Sequence, residues 1–582
     1  MDSSRRPPFN GFRLLRINMV ISVRLLSTVA QLGLMAGLAY AEKEYIWPAK
    51  TDLLESMLYE QQGFGSANSP ATFIVPCDKV TFGKGRNGAA EWLRTAYHDM
   101  ATADVEAGTG GIDASIGFEV NRDENVGIGF NETLMNLIAF LTPRSSMADL
   151  IALGALFAAN GCSNGSVEIP FRAGRVDATG PGPSGVPRPE QPLDEHISSF
   201  QKQGFTPQEM IGLVACGHTL GGVHGVDFPE IVDVVNDPAT DDNTQTFDTT
   251  NTGFTAFDNT VAVQYVANNT QNPLAFGHNV TTRSDARIFS SDGGEEIGQM
   301  ASSPAYFFKR CQTLLERMIN TVPRGVTLTD PIQPIPVKPL RLFATINSNG
   351  TMTMSGYIRV IGSVEANPNR TVKLHFHPRA GACTEAQPCL ISDNFPAFAS
   401  GHVMYGNPPL TFWTYPFSTV IPLSQGVSGF DVEVVDNVNG VINSTLYTNG
   451  GDGFPFDDTI VTQPKLSCSE VTSEGRMDLS VAIRDDSKLN TLKAIVHVPE
   501  PLLSLTPRVG SIPLDFTKVG PIEGSGYTLY NASIVTGVIP FNPPNNQAGT
   551  YIRTYDLFAS NDTHTEEREF NMMDGLSSCS IF

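Results

Sequence analysis

Two short segments each carry a histidine on an otherwise apolar stretch: residues 91–100 (EWLRTAYHDM) and 210–224 (MIGLVACGHTLGGVH). Each reads as a helix. In the first, Arg94 precedes His98 by four residues, and positions i and i+4 share a helix face. A guanidinium beside a proton-accepting imidazole suits heterolysis of a peroxide O–O bond. The base moves the proton, and the cation stabilises the departing charge. His218, in the second segment, would then hold the metal that receives the oxygen. A lone histidine on an apolar helix face is ordinarily a satisfied core residue, so the surrounding sequence has to decide.

At 582 residues the chain exceeds one ordinary core and predicts at least two domains. A hydrophobic content of 41% with 17% charged residues is that of a folded globular protein. The formal net charge of −22 argues against nucleic acid as a partner. Residues 1–41 read as a secretory signal, with an apolar run from Met19 and a small-x-small site at Ala39-Tyr40-Ala41; translation starting at Met19 would give a more ordinary signal. An uncleaved membrane anchor is the competing reading; after cleavage no membrane association is expected. Nine Asn-x-Ser/Thr sequons, beginning at Asn131, Asn164, Asn268, Asn279, Asn349, Asn369, Asn443, Asn531 and Asn561, agree with export as a glycoprotein. The eight cysteines include no CxxC and divide evenly, four before residue 320 and four after. That suits disulfides in an oxidising compartment. One arrangement is Cys77–Cys162, Cys216–Cys311, Cys383–Cys389 and Cys468–Cys579.

The elements that must position these residues change character along the chain. Up to residue 322, three- and four-residue apolar spacing predicts helices over 51–61, 89–100, 132–140, 146–160, 206–216 and 305–320. A Pro-rich linker is expected over 323–339. Beyond it, alternation predicts strands over 340–346, 353–361, 372–377, 430–435, 478–483 and 491–498. The expected fold is thus a mainly α domain (42–322) followed by an all-β sandwich-like domain (340–582) of unassigned role.

The first half resembles the plant-type haem peroxidase superfamily, most closely its secretory fungal branch, with the motifs in the family's order. The resemblance makes His98 the general base, Arg94 the charge stabiliser and Asn125, in EVNRDENVGI, the side chain that holds His98. It makes His218, in GHTLG, the iron ligand of one haem b, with Asp285 (SDARIF) as the carboxylate on its other nitrogen and Phe247 as the ring packed against it. EIPFRAGR, residues 168–175, resembles the haem-edge segment. Two calcium sites are implied: a distal one at Asp99, Gly111, Asp113 and Ser115, with Glu119 reaching it through water, and a proximal one at Thr219, Asp248, Thr250 and Asp258, where the loop is longer than the family pattern.

Departures from the family narrow this reading. Tyr97 precedes the distal histidine where Phe or Trp is usual, and its hydroxyl could perturb the pocket or be oxidised. Of three carboxylates that hold Mn²⁺ in manganese peroxidases only Glu91 has a counterpart; the others are Asn87 and His224. Leu213 stands where related enzymes carry a surface Trp, Asp227 where ascorbate peroxidases carry an Arg, and His224 is similar to the histidine that bonds a haem propionate in intracellular peroxidases. In the β half, His375 and His377 share one strand face, and no nucleophile triad can be assembled from sequence. The expected activity is that of a secreted haem peroxidase that reduces hydrogen peroxide through a ferryl intermediate and oxidises small phenolic donors at the haem edge. The alternatives are a non-catalytic protein binding a carbohydrate or cell-wall surface through the β domain, and a manganese oxidant, which the missing carboxylates disfavour.

Overall fold

Helix formation around His98 begins with a cap. Asn87 Oδ1 accepts the Ala90 N–H at 2.8 Å and starts the helix Gly88–Met100. Its buried face, Ala89, Trp92, Leu93, Ala96 and Met100, repeats at helical spacing. Trp92 packs on the helix Met147–Cys162 at Gly154, where an added Cβ would come within 2.9 Å of the indole. Each such large apolar side chain stabilises the fold by about 1.5–3 kcal/mol, so Gly154 is held small by packing.

The computed structural model describes residues 45–77, 85–233, 243–248, 256–362, 369–384, 389–392, 397–401, 410–438, 440–470, 474–500, 508–537 and 551–579. The expected signal segment and Thr250 lie outside them. Helices in chain order are α1 (Asp52–Tyr59), α2 (Gly88–Met100), α3 (Gly129–Leu137), α4 (Met147–Cys162), α5 (Leu193–Lys202), α6 (Pro207–Gly217), α7 (Thr260–Val266), α8 (Pro273–Phe276), α9 (Ser284–Phe289), α10 (Glu295–Ser302) and α11 (Pro304–Ile319). From Val337 onward the regular elements of the described residues are antiparallel strands, apart from two short turns of 3-10 helix.

Among the described residues, four larger sheets make up the β half. One runs in the order Gln62–Gly63, Phe398–Gly401, Thr411–Pro422, Thr351–Gly362, Val337–Ile346, and borrows its first strand from the helical half. It shares a core with the sheet containing Arg370–His377 and Gly429–Val438 through Met352, Ile358, Leu374, Val432 and their neighbours. A second pair joins the sheet of Arg476–Arg484 and Tyr527–Val535 to the sheet ordered Arg508–Asp515, Thr491–Glu500, Thr554–Ser560, Thr565–Met572. Its core includes Leu479, Val481, Ala494, Val496 and Leu557, and is continuous with that of the helices. The β half is therefore two sandwiches in series, because each pair of facing sheets closes its own apolar layer.

The four disulfides pair as Cys77–Cys162, Cys216–Cys311, Cys383–Cys389 and Cys468–Cys579. Trp47–Phe582 forms one compact unit. Residues 323–336 run extended along the helical half: Arg324 N–H bonds Gly108 O, Thr329 N–H bonds Ala173 O and Ile332 N–H bonds Phe171 O. Buried charges join the halves as well. Arg359 on the first sheet bonds Glu55 and Glu60 of the α1 region at 2.6 and 2.5 Å, and Lys338 bonds Glu55 at 2.6 Å.

Candidate active site

Arg94 and His98 project from α2 into a cavity of about 720 Å³ that is also lined by Leu213, His218, Leu220, Phe247, Asp285 and Ile288. This volume lies in the range of cofactor and small-molecule sites, about 300–1,000 Å³. His98 Nδ1 lies 2.8 Å from Asn125 Oδ1, and Asn125 Nδ2 donates to Glu119 O at 3.0 Å. The second bond fixes the carboxamide with its oxygen toward the imidazole, so Nδ1 carries the proton and Nε2 is left as an acceptor. Burial, and then the neighbouring Arg94 charge, push the His98 pKa down to about 3. Arg94 donates to Val126 O at 3.0 Å and lies 4.3 Å over the Phe130 ring, which also packs on His98 at 4.8 Å. Burial lowers its pKa to about 10, so it stays charged at neutral pH. Tyr97 lines the cavity beside His98 and stacks on Phe200; burial pushes its phenol up, keeping it protonated.

His218 is placed by a different device. Thr206 and Glu209 form a capping box with Pro207 at the first turn of α6, and His218 closes its C-terminus. Its Nδ1 lies 2.9 and 3.2 Å from the two oxygens of the fully buried Asp285 on α9. Asn272 Nδ2 donates to the same carboxylate at 2.7 Å while its Oδ1 caps α8. Phe247 stacks on the imidazole, with centroids 4.7 Å apart and planes at 14°. His224, on the strand Gly222–His224, lines the cavity and bonds Thr244 Oγ1 at 2.8 Å.

The distal oxygen cluster is equally specific. Asp99 accepts the N–H groups of Asp113, Ala114 and Ile116 at 2.9–3.0 Å. Burial and the adjacent Asp113 push the Asp99 carboxyl up, the signature of two buried carboxylates that lack a counter-charge. Ser115 Oγ is buried without a hydrogen bond of good geometry. Ser115 Oγ, Glu119 Oε1 and Thr102 Oγ1 converge within 3.4 Å of where a Cβ on Gly182 would stand. Gly111 has φ +111° and lies against Thr321, so a side chain there would strike backbone. On the proximal side Thr219 Oγ1 donates to Asp258 O, and Asp258 Oδ1 accepts the Thr260 N–H at 2.8 Å. Asp248 is buried beside Gln271, which donates to its carbonyl.

Several residues singled out in the sequence have different surroundings from those their positions suggest. Glu91 pairs with Arg86 at 3.0 Å, and Arg86 also faces Asp227 at 3.6 Å. Asn87 caps α2 and donates to Cys77 O. Leu213 is buried in the cavity wall. His375 and His377 each pair with a carboxylate, Glu433 at 2.8 Å and Asp431 at 3.1 Å. Sequence reasoning missed Phe130, Asn272 and Arg86. Phe130 and Arg86 carry no motif signal, whereas Asn272 before Pro273 was a readable cap.

Residues 78–302 match the family model described as Peroxidase. The chain is 35% identical over 494 residues to a WSC domain-containing protein of Arthroderma benhamiae, covering 84% of this chain and 63% of that protein. A match of that length extends well into the strands. It is 34% identical over 141 residues to L-ascorbate peroxidase 5, peroxisomal, of Arabidopsis thaliana, covering 24% of this chain and 50% of that one. To the mitochondrial cytochrome c peroxidase of Emericella nidulans it is 31% identical over 138 residues, 23% and 37% of the two chains. The chain thus spans less than two thirds of the length of each of these relatives. The helical half is a peroxidase domain of the plant-type haem peroxidase superfamily.

Proposed function

We propose that the protein is a secreted haem peroxidase that reduces hydrogen peroxide and oxidises small phenolic or aromatic donors at the cavity mouth. The observation that carries this reading is one cavity lined by two differently tuned histidines: His98, neutral and held by a carboxamide, and His218, held by a buried carboxylate. The residues fit haem b, with His218 Nε2 as the ligand side, Phe247 packed on the ring and His224 at the rim. Bound haem supplies the two reducing equivalents that the cleaved peroxide bond consumes. His98 Nε2 takes the proton of one peroxide oxygen and returns it to the other, which leaves as water. Arg94 stabilises the negative charge on that leaving oxygen. Asp285 makes the His218 imidazole a stronger donor.

Calcium fits the distal set of Asp99, Gly111, Asp113 and Ser115, where buried carboxylates and a buried hydroxyl offer hard oxygen ligands. The proximal set, Thr219, Asp248, Thr250 and Asp258, is the second proposed site. Manganese oxidation is disfavoured because Arg86 already neutralises Glu91 and Asn87 is engaged as a cap. Four disulfides support an extracellular setting. Among the described residues no helix is long and apolar enough to cross a membrane.

Reconstitution with haem tests the reading. A Soret band and rapid reaction with peroxide are expected, with His98→Leu slowing that reaction by about 10²–10⁴-fold while haem stays bound. His218→Ala should instead weaken haem retention. Failure to bind haem would favour the second reading, a carbohydrate- or wall-binding protein on a peroxidase scaffold, which the likeness to a protein named for its WSC domain supports.

A further inference from the structure

The last sandwich carries a hydrogen-bonded line that no part of the peroxide chemistry uses. His497 lies on the strand Thr491–Glu500, between Arg508–Asp515 and Thr554–Ser560. It is directly opposite Ser511 on one side and Thr554 on the other. Its neighbours Val496 and Val498 point into the core, so His497, Ser511, Thr554 and Asp556 share the outer face. His497 Nε2 lies 3.0 Å from Asp556 Oδ2, and Ser511 Oγ lies 3.4 Å from His497 Nδ1. A carboxylate can only accept, so Nε2 carries the imidazole proton and Nδ1 presents a lone pair to the serine hydroxyl.

The support behind Asp556 is built. Pairing of Thr554–Ser560 with Thr565–Met572 slips at Asp556, and Phe570 sits at φ +55°, a strained conformation for a bulky residue. That turn aims the Phe570 N–H at Asp556 Oδ1, 2.6 Å away. The histidine and aspartate side chains are only 12% and 20% exposed, whereas Ser511 is exposed. Strain held in place to orient an acid behind a base behind an accessible hydroxyl is the arrangement of an activated nucleophile.

We propose that Ser511, His497 and Asp556 form a second catalytic centre, an acyl-transfer site for carboxylic esters. His497 Nδ1 takes the Ser511 proton as Oγ bonds the ester carbonyl carbon. The bond to the alkoxy oxygen then breaks, and the alcohol leaves with that proton. Water, deprotonated by the same nitrogen, attacks the acyl-serine and releases the carboxylic acid, restoring Ser511.

The test is labelling of the full-length protein with a fluorophosphonate and mapping of the adduct by peptide mass spectrometry, with p-nitrophenyl acetate as the turnover probe. A single adduct on Ser511 is expected, lost in Ser511→Ala and formed about 100-fold more slowly in His497→Gln. Absence of an adduct on Ser511 in the unmodified protein overturns the proposal, whatever the variants do. So does equal labelling in a His497→Gln protein whose melting temperature is unchanged.

Discussion

Asn125 and Asp285 each hold the Nδ1 of a histidine, and their difference in charge sets two different chemistries. A neutral carboxamide leaves His98 uncharged and able to accept a proton at Nε2. A buried carboxylate makes His218 electron-rich. Replacing Asn125 with Ala frees the His98 ring and tautomer; the bimolecular rate with peroxide, read by stopped flow, should fall by about 10²-fold or more with haem content unchanged. Asp285→Asn removes a negative charge behind His218, the proposed ligand. The midpoint potential of the reconstituted protein should rise, and haem affinity or turnover should drop by about 10–100-fold. At this scale the sequence was most readable, because Arg94, His98, Asn125, His218 and Asp285 fall in compact motifs. Phe130 was not readable: a phenylalanine on a helix says nothing of the Arg94 guanidinium over its face or the His98 ring tilted against it.

Local capping and turn chemistry position the helices that carry the site. Asn87→Ala should cost about 1 kcal/mol through loss of the α2 cap, seen as a lower melting temperature that Mn²⁺ does not restore. The distal oxygen cluster makes a separate prediction. Calcium added to chelator-treated protein should stabilise it by about 2.7 kcal/mol at a hundredfold excess over Kd, and Asp113→Ala should remove most of that gain. Helices with long apolar faces, such as α2, α4 and α11, were legible; short α8 and α9 were not, since four to six residues give no period. The strand Thr411–Pro422 was hidden by Pro416, which reads as a breaker. Among the described residues its neighbour Phe398–Gly401 pairs with residues 411–414, so Pro416 falls outside that ladder.

Across the whole molecule, the buried pairs between α1 and the first sheet decide whether the halves are separable. Arg359→Met leaves Glu60 without its cation and Glu55 with Lys338 alone, and should destabilise the protein by about 3–5 kcal/mol, measured by denaturant unfolding. The Arg359 and Lys338 charges outweigh burial and hold the Glu55 pKa below its ordinary value of 4.5. Its stabilising contribution is therefore complete above that value and is lost as pH falls through the lower folded value. Acid unfolding curves of the unmodified protein should carry this dependence, and Arg359→Met should flatten it. A chain ending at Thr329 should aggregate or melt early for the same reason. Two successive sandwiches and a stitched connector were not legible, because alternation reveals strands but not which sheets face each other. The ion network has a consequence for biosynthesis. Glu60 and Glu55 emerge from the ribosome roughly 300 residues ahead of Arg359, and domains tend to fold in the order they are made. The buried pairs of α1 therefore cannot form until the opening strands of the β half have been translated, however early the rest of the helical half folds.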